Sequence, residues 1–600
     1  MTSTIPVLPA PSQGNHLFDI LLRHAESDLP DATRRLARGE RLIRQGDTAE
    51  DFFLLRSGRL RIERDGVKLA SIHPGQTVGE MAFLTRGERT ASVIADRDSI
   101  VIRIDRAQYA TLCARHPRIA QSIAEDLALR LERTNARVAQ DHTPAPATTI
   151  AILAGGDPNL LPGFVAALTA SLSTRGPATV VTSADRPATI TDLDSTDAAD
   201  WLNAVESGSH PVLFVADPAD PDWSRRIVAQ ADLILTVTAA GTPAPLSDLE
   251  QLARNMVEPR QHRLVLLHPP GTTKAQGTAA QIDLRPAFLH HHVAQGSTDD
   301  YDRLARFLTG QARGFVAAGG GALGAIHTGV YDVFRAAGTS FDIFGGTSVG
   351  SAMSGAFAMG LDAKDIDRQT NEIFVKGKAL GKLSVPRYGL LDHTHFDRYL
   401  RKHFTDVLIE DLWVPYYAVA ADLSDNSQKI IRRGPLWQAI RASSAIPGAL
   451  PPFFDGTGSM LADGGSVDNL PYRAMHEIKS GPNVLVTFDN RRPRRYEVDY
   501  DALPGRGPLL RRLIWPFGAR PPRAPGIVSI IMRSMMAKQA GVPLDLAPGD
   551  LLLQPELPRG VGFMDWKAHR TLFDLGRETA LEVLERGVAP SDPRAPLFPA

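Results

Sequence analysis

The sequence predicts a multidomain protein in which an N-terminal β-barrel with accompanying helices precedes two α/β domains. Three observations predict it: the length, a change of hydrophobic period near residue 141, and a second α/β restart near residue 311. At 600 residues the chain exceeds what a single hydrophobic core can fill. Residues 1–16 read as a tail, with no basic segment followed by an apolar run and therefore no secretory signal. From about Leu17 to Val138, short β-type runs broken by glycine turns (FFLLRSGRLRI, GVKLASIHPGQTVGE, RTASVIADRDSIVIRI) give way to a helical stretch from Ala107, which places the barrel at 17–140. The segment DHTPAPATT is rich in Pro, Thr and Ala and reads as a linker at 141–148.

Between 149 and 310, apolar runs such as TIAILAG, PVLFVAD and RLVLLHP alternate with helical stretches such as LSDLEQLARNM, the alternation of a parallel sheet with crossover helices. Its AILAGGDPN glycines match no phosphate-loop spacing, so this middle domain reads as structural. A second α/β pattern occupies 311–490, with GFVAAG, DIFGG, PYYAVA and NVLVTFD as strands, and 491–600 reads as an extension completing it. In that extension, LLRRLIWPFGARPPR interleaves basic residues with Trp515 and Phe517, equally compatible with a lipid interface and a solvated loop.

Composition excludes several function classes. Apolar and charged fractions of 43% and 22% are those of globular proteins, and a formal net charge of -1 gives no whole-molecule attraction to nucleic acid or anionic membrane. Cys113 is the only cysteine, which excludes an intrachain disulfide and cysteine-rich metal sites and makes a cytoplasmic protein the default. No His, Cys or carboxylate cluster has metal-ligand spacing, His290, His291 and His292 read as surface, and no metal is expected. The longest uncharged run, Phe344 to Leu361, is packed with Gly, Ala, Ser and Thr and reads as buried, so membrane contact is expected to be peripheral.

Three motifs carry chemistry. Gly319, Gly321 and Gly324 form G-x-G-x-x-G, Gly346 to Gly350 form G-x-S-x-G, and Asp463 opens Asp-Gly-Gly. With 50 glycines in the chain each is weak alone, but both glycine motifs sit where an apolar β-run meets a helical run. In FDIFGGTSVGSAM a strand enters a tight turn whose apex is Ser348, flanked by Gly346 and Gly350, the arrangement of a nucleophile elbow. A helix N-terminus behind the serine favours developing negative charge. In FVAAGGGALG, successive backbone N–H groups can converge on a tetrahedral oxyanion. A dinucleotide-binding turn would want an acid about 20 positions on, ending a strand; Asp342 lies near that distance but precedes its strand.

GGGALG, GGTSVG, RASSAIPGALPPF and DGG, in this order, resemble the patatin-like phospholipases, and the wider run from about Ala151 to Leu485 resembles the neuropathy-target-esterase branch. The resemblance implies a patatin-like catalytic domain, with Ser348 as nucleophile, Asp463 as its base, and the amides of Gly319, Gly320 and Gly321 as oxyanion hole. It implies a lysophospholipase- or phospholipase-like serine esterase that needs no cofactor. Leu323 departs from the family, which usually has Arg or Lys there. That departure supports the alternative of a non-catalytic scaffold, binding cyclic nucleotide or lipid through a degenerate hydrolase fold. A two-residue mechanism requires Asp463 to be buried, with a raised pKa, against Ser348. A triad reading would recruit His476, which otherwise reads as a surface histidine of a helical run.

PGQTVGEMAFLTRGERTASV resembles the phosphate cassette of cyclic-nucleotide-binding domains. That resemblance assigns Glu80 to the ribose hydroxyl and Arg89 to the cyclic phosphate, with Gly79, Met81, Thr90 and Ala91 beside them. Thr134 and Asn135 would lie near the purine. The implied regulatory ligand is cAMP or cGMP, which Thr90 does not distinguish. The barrel runs into a linker rather than a helix-turn-helix, so no nucleic acid polymer is expected as partner. Head group, sign of regulation and oligomeric state are left open by the sequence.

Overall fold

The structure, a computed structural model, describes residues 32–65, 67–116, 119, 123, 147–208, 211–404, 407–488, 497–509, 524–537, 544–558 and 560–585. Thr134, Asn135, Trp515, Phe517 and most of the 141–148 linker lie outside the described residues. The chain divides into two compact units, the first reaching Gly310 except for the segment 274–276 and the second running from Gln311.

The first unit opens with the barrel. Strands β1 (Thr33–Leu36), β3 (Asp51–Ser57), β6 (Thr77–Val78) and β8 (Ser99–Asp105) form one antiparallel sheet in the order β1-β8-β3-β6. Strands β2 (Arg41–Ile43), β4 (Leu60–Arg64), β5 (Val67–Ile72) and β7 (Ser92–Ala95) form the other in the order β2-β7-β4-β5. Alternate apolar side chains supply the filling: Phe53, Leu55, Leu60, Val78 and Val101 share one buried cluster, and Phe52, Leu54 and Ile102 face another.

The middle sheet is wholly parallel, as its unbroken apolar runs predict. Strands β9 (Thr149–Ala154), β10 (Thr179–Val181), β11 (Val212–Val215), β12 (Leu233–Ala239), β13 (His262–His268) and β14 (Leu289–Ala294) lie in the order β10-β11-β9-β12-β13-β14. His291 and His292 are buried within β14 and His292 Nδ1 lies 3.0 Å from His268 Nε2, which corrects the surface reading of 290–292. Barrel and middle sheet share one unit because arginines of the barrel reach into the α/β layer. Arg97, 3% exposed, donates to both Glu206 oxygens at 3.0 and 2.7 Å and to the Gln230 carbonyl. Arg59 pairs with Asp232, and Asp98 accepts from Arg226 at 2.8 Å.

The second unit is built on an eight-stranded mixed sheet. Strands β15 (Gly314–Ala317), β16 (Ile343–Thr347), β17 (Tyr416–Asp422), β18 (Ser427–Ile431), β19 (Phe453–Phe454), β20 (Met460–Asp463), β21 (Asn483–Val486) and β22 (Leu551–Leu553) run β19-β20-β17-β16-β15-β21-β22, with β18 on β17. The centre from β17 to β22 is parallel, whereas β18 and β20 meet β17 antiparallel. The C-terminal segment completes this unit: β22 extends the sheet, and the helix His569–Glu585 lies against Ala325–Ala336. Glycines bring those helices into backbone contact, since a Cβ on Gly329 would meet the Phe573 carbonyl oxygen at 2.1 Å and one on Gly576 the Ile326 oxygen at 2.3 Å. The run Phe344 to Leu361 forms β16 and the buried helix Val349–Ala358. Among the described residues, no helix is long and apolar enough to cross a membrane.

Candidate active site

Register fixes the site. Ala317 of β15 pairs with Gly346 of β16, Thr347 pairs with Val419 of β17, and the next β17 residue, Ala420, pairs with Asp463 at the end of β20. The glycine loop and the elbow thus leave the carboxyl ends of neighbouring parallel strands, where open α/β folds place ligands, and Asp463, at the end of the antiparallel β20, stands across β17 from the elbow.

Ser348 occupies φ 54° and ψ -126°, a left-handed region that costs a non-glycine residue about 1–3 kcal/mol. The surroundings enforce it. A Cβ on Gly346 would strike Gly350 at 2.4 Å, and one on Gly350 would strike the Ala317 oxygen at 2.1 Å, so the elbow tolerates no side chain at either position. The Ser348 N–H donates to Ser443 Oγ at 2.8 Å, and Ser443 donates onward to the Val419 carbonyl. Ser351 Oγ donates to the Ser348 carbonyl at 2.6 Å.

Ser348 Oγ donates to Asp463 Oδ2 at 2.7 Å, and Asp463 Oδ1 accepts the Gly465 N–H at 2.8 Å. Asp463 is 1% exposed; burial raises its pKa to about 6, against the opposing pull of its bonds from Ser348 and Gly465. An aspartate so tuned is a competent base near neutrality.

In the glycine loop, Gly319 differs from the sequence expectation. Its N–H donates to the Asn469 carbonyl at 3.1 Å and its carbonyl accepts from Asn469 Nδ2 at 3.2 Å, so this amide is already engaged. Gly320 and Gly321 donate to no protein acceptor among the described residues. A Cβ on Gly321, φ 58°, would strike the Phe563 oxygen at 2.2 Å, so only glycine fits. His327 backs the loop: burial holds its pKa near 4, and the neutral ring lies with Nε2 2.8 Å from the Ala318 oxygen. Leu323 is 1% exposed inside the main apolar cluster, so packing rather than a vacant charge site answers for its departure from the family. His476 corrects a second expectation: it is buried and meets Asp550 at 2.8 Å, not Asp463.

Sequence reasoning missed Ser443 and Asn469, whose roles arise from contacts between distant segments, and His327, which reaches back only nine residues to Ala318. A weak signal lay in the RASSAIPG run and in the Asn following DGG.

Ser348 lines an apolar pocket with about 890 Å³ of empty space, part of it open solvent. Ala352, Met353 and Ala356 of the elbow helix form one wall. Phe374 and Trp566, stacked 3.6 Å apart, form another. Such a lining suits an acyl chain.

In the barrel, Gly79 takes φ 84° before the short helix Glu80–Thr85. Glu80 and Arg89 are buried, Met81 and Thr90 exposed, and Ala91 half-buried. Arg89 donates to the Gly79 carbonyl at 2.8 Å and to Asp51, at 2.6 Å to its carbonyl and 2.7 Å to Oδ1. An internal carboxylate thus stands where the cassette would present its arginine to a phosphate. Among the described residues no group of three or more His, Cys, Asp or Glu is arranged to hold a metal.

Three family models match the chain: a cyclic nucleotide-binding domain over residues 33–116, a Neuropathy Target Esterase family P-loop like domain over 147–297, and a patatin-like phospholipase over 315–476. A patatin-like phospholipase domain-containing protein of Caenorhabditis elegans is 28% identical, covering 81% of this chain and 41% of its own. An uncharacterized NTE family protein of Mycobacterium tuberculosis is 28% identical over 92% of both chains. Patatin-like phospholipase domain-containing protein 7 of Rattus norvegicus is 27% identical, covering 75% of this chain and 38% of its own. The chain therefore spans about two fifths of the length of these animal relatives and nearly all of the mycobacterial one. With these three domains matched in this order, the chain is similar along most of its length to the neuropathy target esterase family of patatin-like phospholipases.

Proposed function

We propose that the protein hydrolyses carboxylic esters of lipids, lysophospholipid or phospholipid, through a Ser348–Asp463 dyad. The observation that carries this reading is the 2.7 Å contact between Asp463 Oδ2 and the Oγ of Ser348, a residue that lines the apolar pocket. Asp463 takes the Ser348 proton as Oγ attacks the ester carbonyl, and the Gly320 and Gly321 amides face the oxyanion. The tetrahedral adduct collapses as Asp463 returns the proton to the leaving alkoxide, leaving an acyl-enzyme with its chain in the pocket. Water then attacks, Asp463 accepting its proton and returning it to Ser348 as the fatty acid departs.

The barrel is the regulatory module in this reading, taking cAMP or cGMP at Glu80 and Arg89 once Arg89 exchanges Asp51 for the cyclic phosphate. A cytoplasmic protein with peripheral access to lipid fits the single free cysteine. The test is hydrolysis of a short-chain aryl ester and of a lysophospholipid by wild type, Ser348→Ala and Asp463→Asn, with and without each nucleotide. Activity lost in both variants is expected; equal rates in all three proteins overturn the dyad, and nucleotide-insensitive rates overturn the regulatory role.

A further inference from the structure

The strap between Ile373 and Leu391 combines features that no packing role explains. It holds Lys376, Lys378, Lys382 and Arg387 and no acidic residue, a net charge of +4 in a chain whose total is -1. Its tip is also apolar and unburied: Leu383 and Val385 are each 83% exposed and Tyr388 67%. Large apolar side chains exposed together beside like-charged basic ones mark an interaction surface rather than ordinary solvent-facing chain.

The strap's position says what that surface meets. Its N-terminal leg enters the acyl pocket, which Ile373, Phe374 and Leu380 line. Its return leg is pinned to the opposite lip, where the Leu390 and Leu391 N–H groups donate to the Gly448 and Ala449 carbonyls at 3.0 and 2.8 Å, next to pocket residue Leu450. A Cβ on Gly448 would lie 3.5 Å from Ile531 of the helix Ile527–Ala537, which exposes Ile527 and Ile530 to 59% and 49%. The apolar surface is therefore continuous with the pocket rim on both sides of Gly448.

We propose that this rim is a docking surface for an anionic lipid-water interface. Val385 and Tyr388 enter the acyl region while Lys378, Lys382 and Arg387 face the headgroup phosphates, so that a substrate chain passes from the bilayer into the pocket without crossing water. The choice of a lipid surface over a protein partner rests on charge complementarity and on continuity with the pocket, and it rests on the lipid-hydrolase reading above.

The test uses the full chain carrying Ser348→Ala, which leaves vesicles intact, in sedimentation with phosphatidylcholine vesicles with and without phosphatidylglycerol. Binding to the anionic vesicles is expected, falling as salt rises. Paired Val385→Asp and Tyr388→Asp substitutions should weaken it by about tenfold or more. Lys378→Gln and Arg387→Gln should each weaken it about fivefold. The same strap substitutions in protein with an intact Ser348 should leave soluble aryl-ester hydrolysis unchanged, which reports that the fold is preserved. No vesicle binding, or binding indifferent to the strap, overturns the proposal. A protein that binds vesicles through the strap yet cleaves no ester overturns the hydrolase reading instead, so the two failures are distinguishable.

Discussion

Replacing Asp463 by asparagine removes the proposed base and, at the same time, a charge that the fold holds at a cost. The unfolded carboxyl ionises near 3.8, whereas burial keeps the folded group protonated up to about pH 6. Between those values the folded state binds the proton and the unfolded chain does not, so this group's contribution to stability falls as pH rises across the window. A shift of that size corresponds to roughly 3 kcal/mol, fully expressed above about pH 6 and absent below about pH 4. Asparagine is nearly isosteric. Its Oδ1 can accept the Gly465 N–H as the carboxylate does, and its Nδ2 can donate to Ser348 Oγ, so both contacts of the wild-type side chain keep a hydrogen bond, the one to Ser348 with its direction reversed. Asp463→Asn should therefore lower kcat/KM by about a thousandfold while making the second unit up to roughly 3 kcal/mol more stable at pH 8. Urea unfolding of wild type and variant at several pH values checks this, with near coincidence at pH 4 and separation at pH 8. In wild type, kcat/KM for a soluble ester should rise with pH through a midpoint near 6. A variant less stable than wild type at pH 8, or a wild-type profile that falls across pH 6, would refute the reasoning.

Four further outcomes follow from named contacts. Asn469→Ala releases Gly319 from its side-chain clamp and should lower kcat roughly tenfold with little change in KM, read by steady-state kinetics on a soluble ester; a pure KM effect would contradict a positioning role. Leu323→Arg puts an unpaired charge into the main core and should destabilise the second unit by about 3 kcal/mol or more, seen as a lower urea midpoint, despite restoring the family's residue. Ala356→Phe fills the pocket wall about two helical turns beyond Ser348, and rates on long-chain lysophospholipids should fall well below those on short esters. Asp51→Ala frees Arg89 and should tighten cyclic nucleotide binding by about tenfold in calorimetry, whereas unchanged affinity would mean that Asp51 does not compete.

What the sequence determined is what lies within a few residues of itself. The elbow is local: Gly346 and Gly350 flank Ser348 because the strand must turn into a helix within that span, and G-x-S-x-G records it. The cassette around Glu80 and Arg89 is legible for the same reason, and the continuous apolar runs of β9 to β14 announce a parallel sheet buried on both faces. Only the tertiary structure decided the rest. Asp463 lies 115 residues from Ser348, and β17 between their strands brings them together. Tertiary packing also gives Asn469 to Gly319, Ser443 to Ser348 and Asp550 to His476, none of which any local pattern encodes. Burial reversed the meaning of Leu323 and of the histidines in β14, because a side chain's environment is set by what folds over it. The Asp51 that holds Arg89 sits 38 residues before it, and the Glu206 that holds Arg97 lies 109 residues after it, beyond the linker. Charge and hydrophobic period are written in the chain, but which charges meet is fixed by strand order and register.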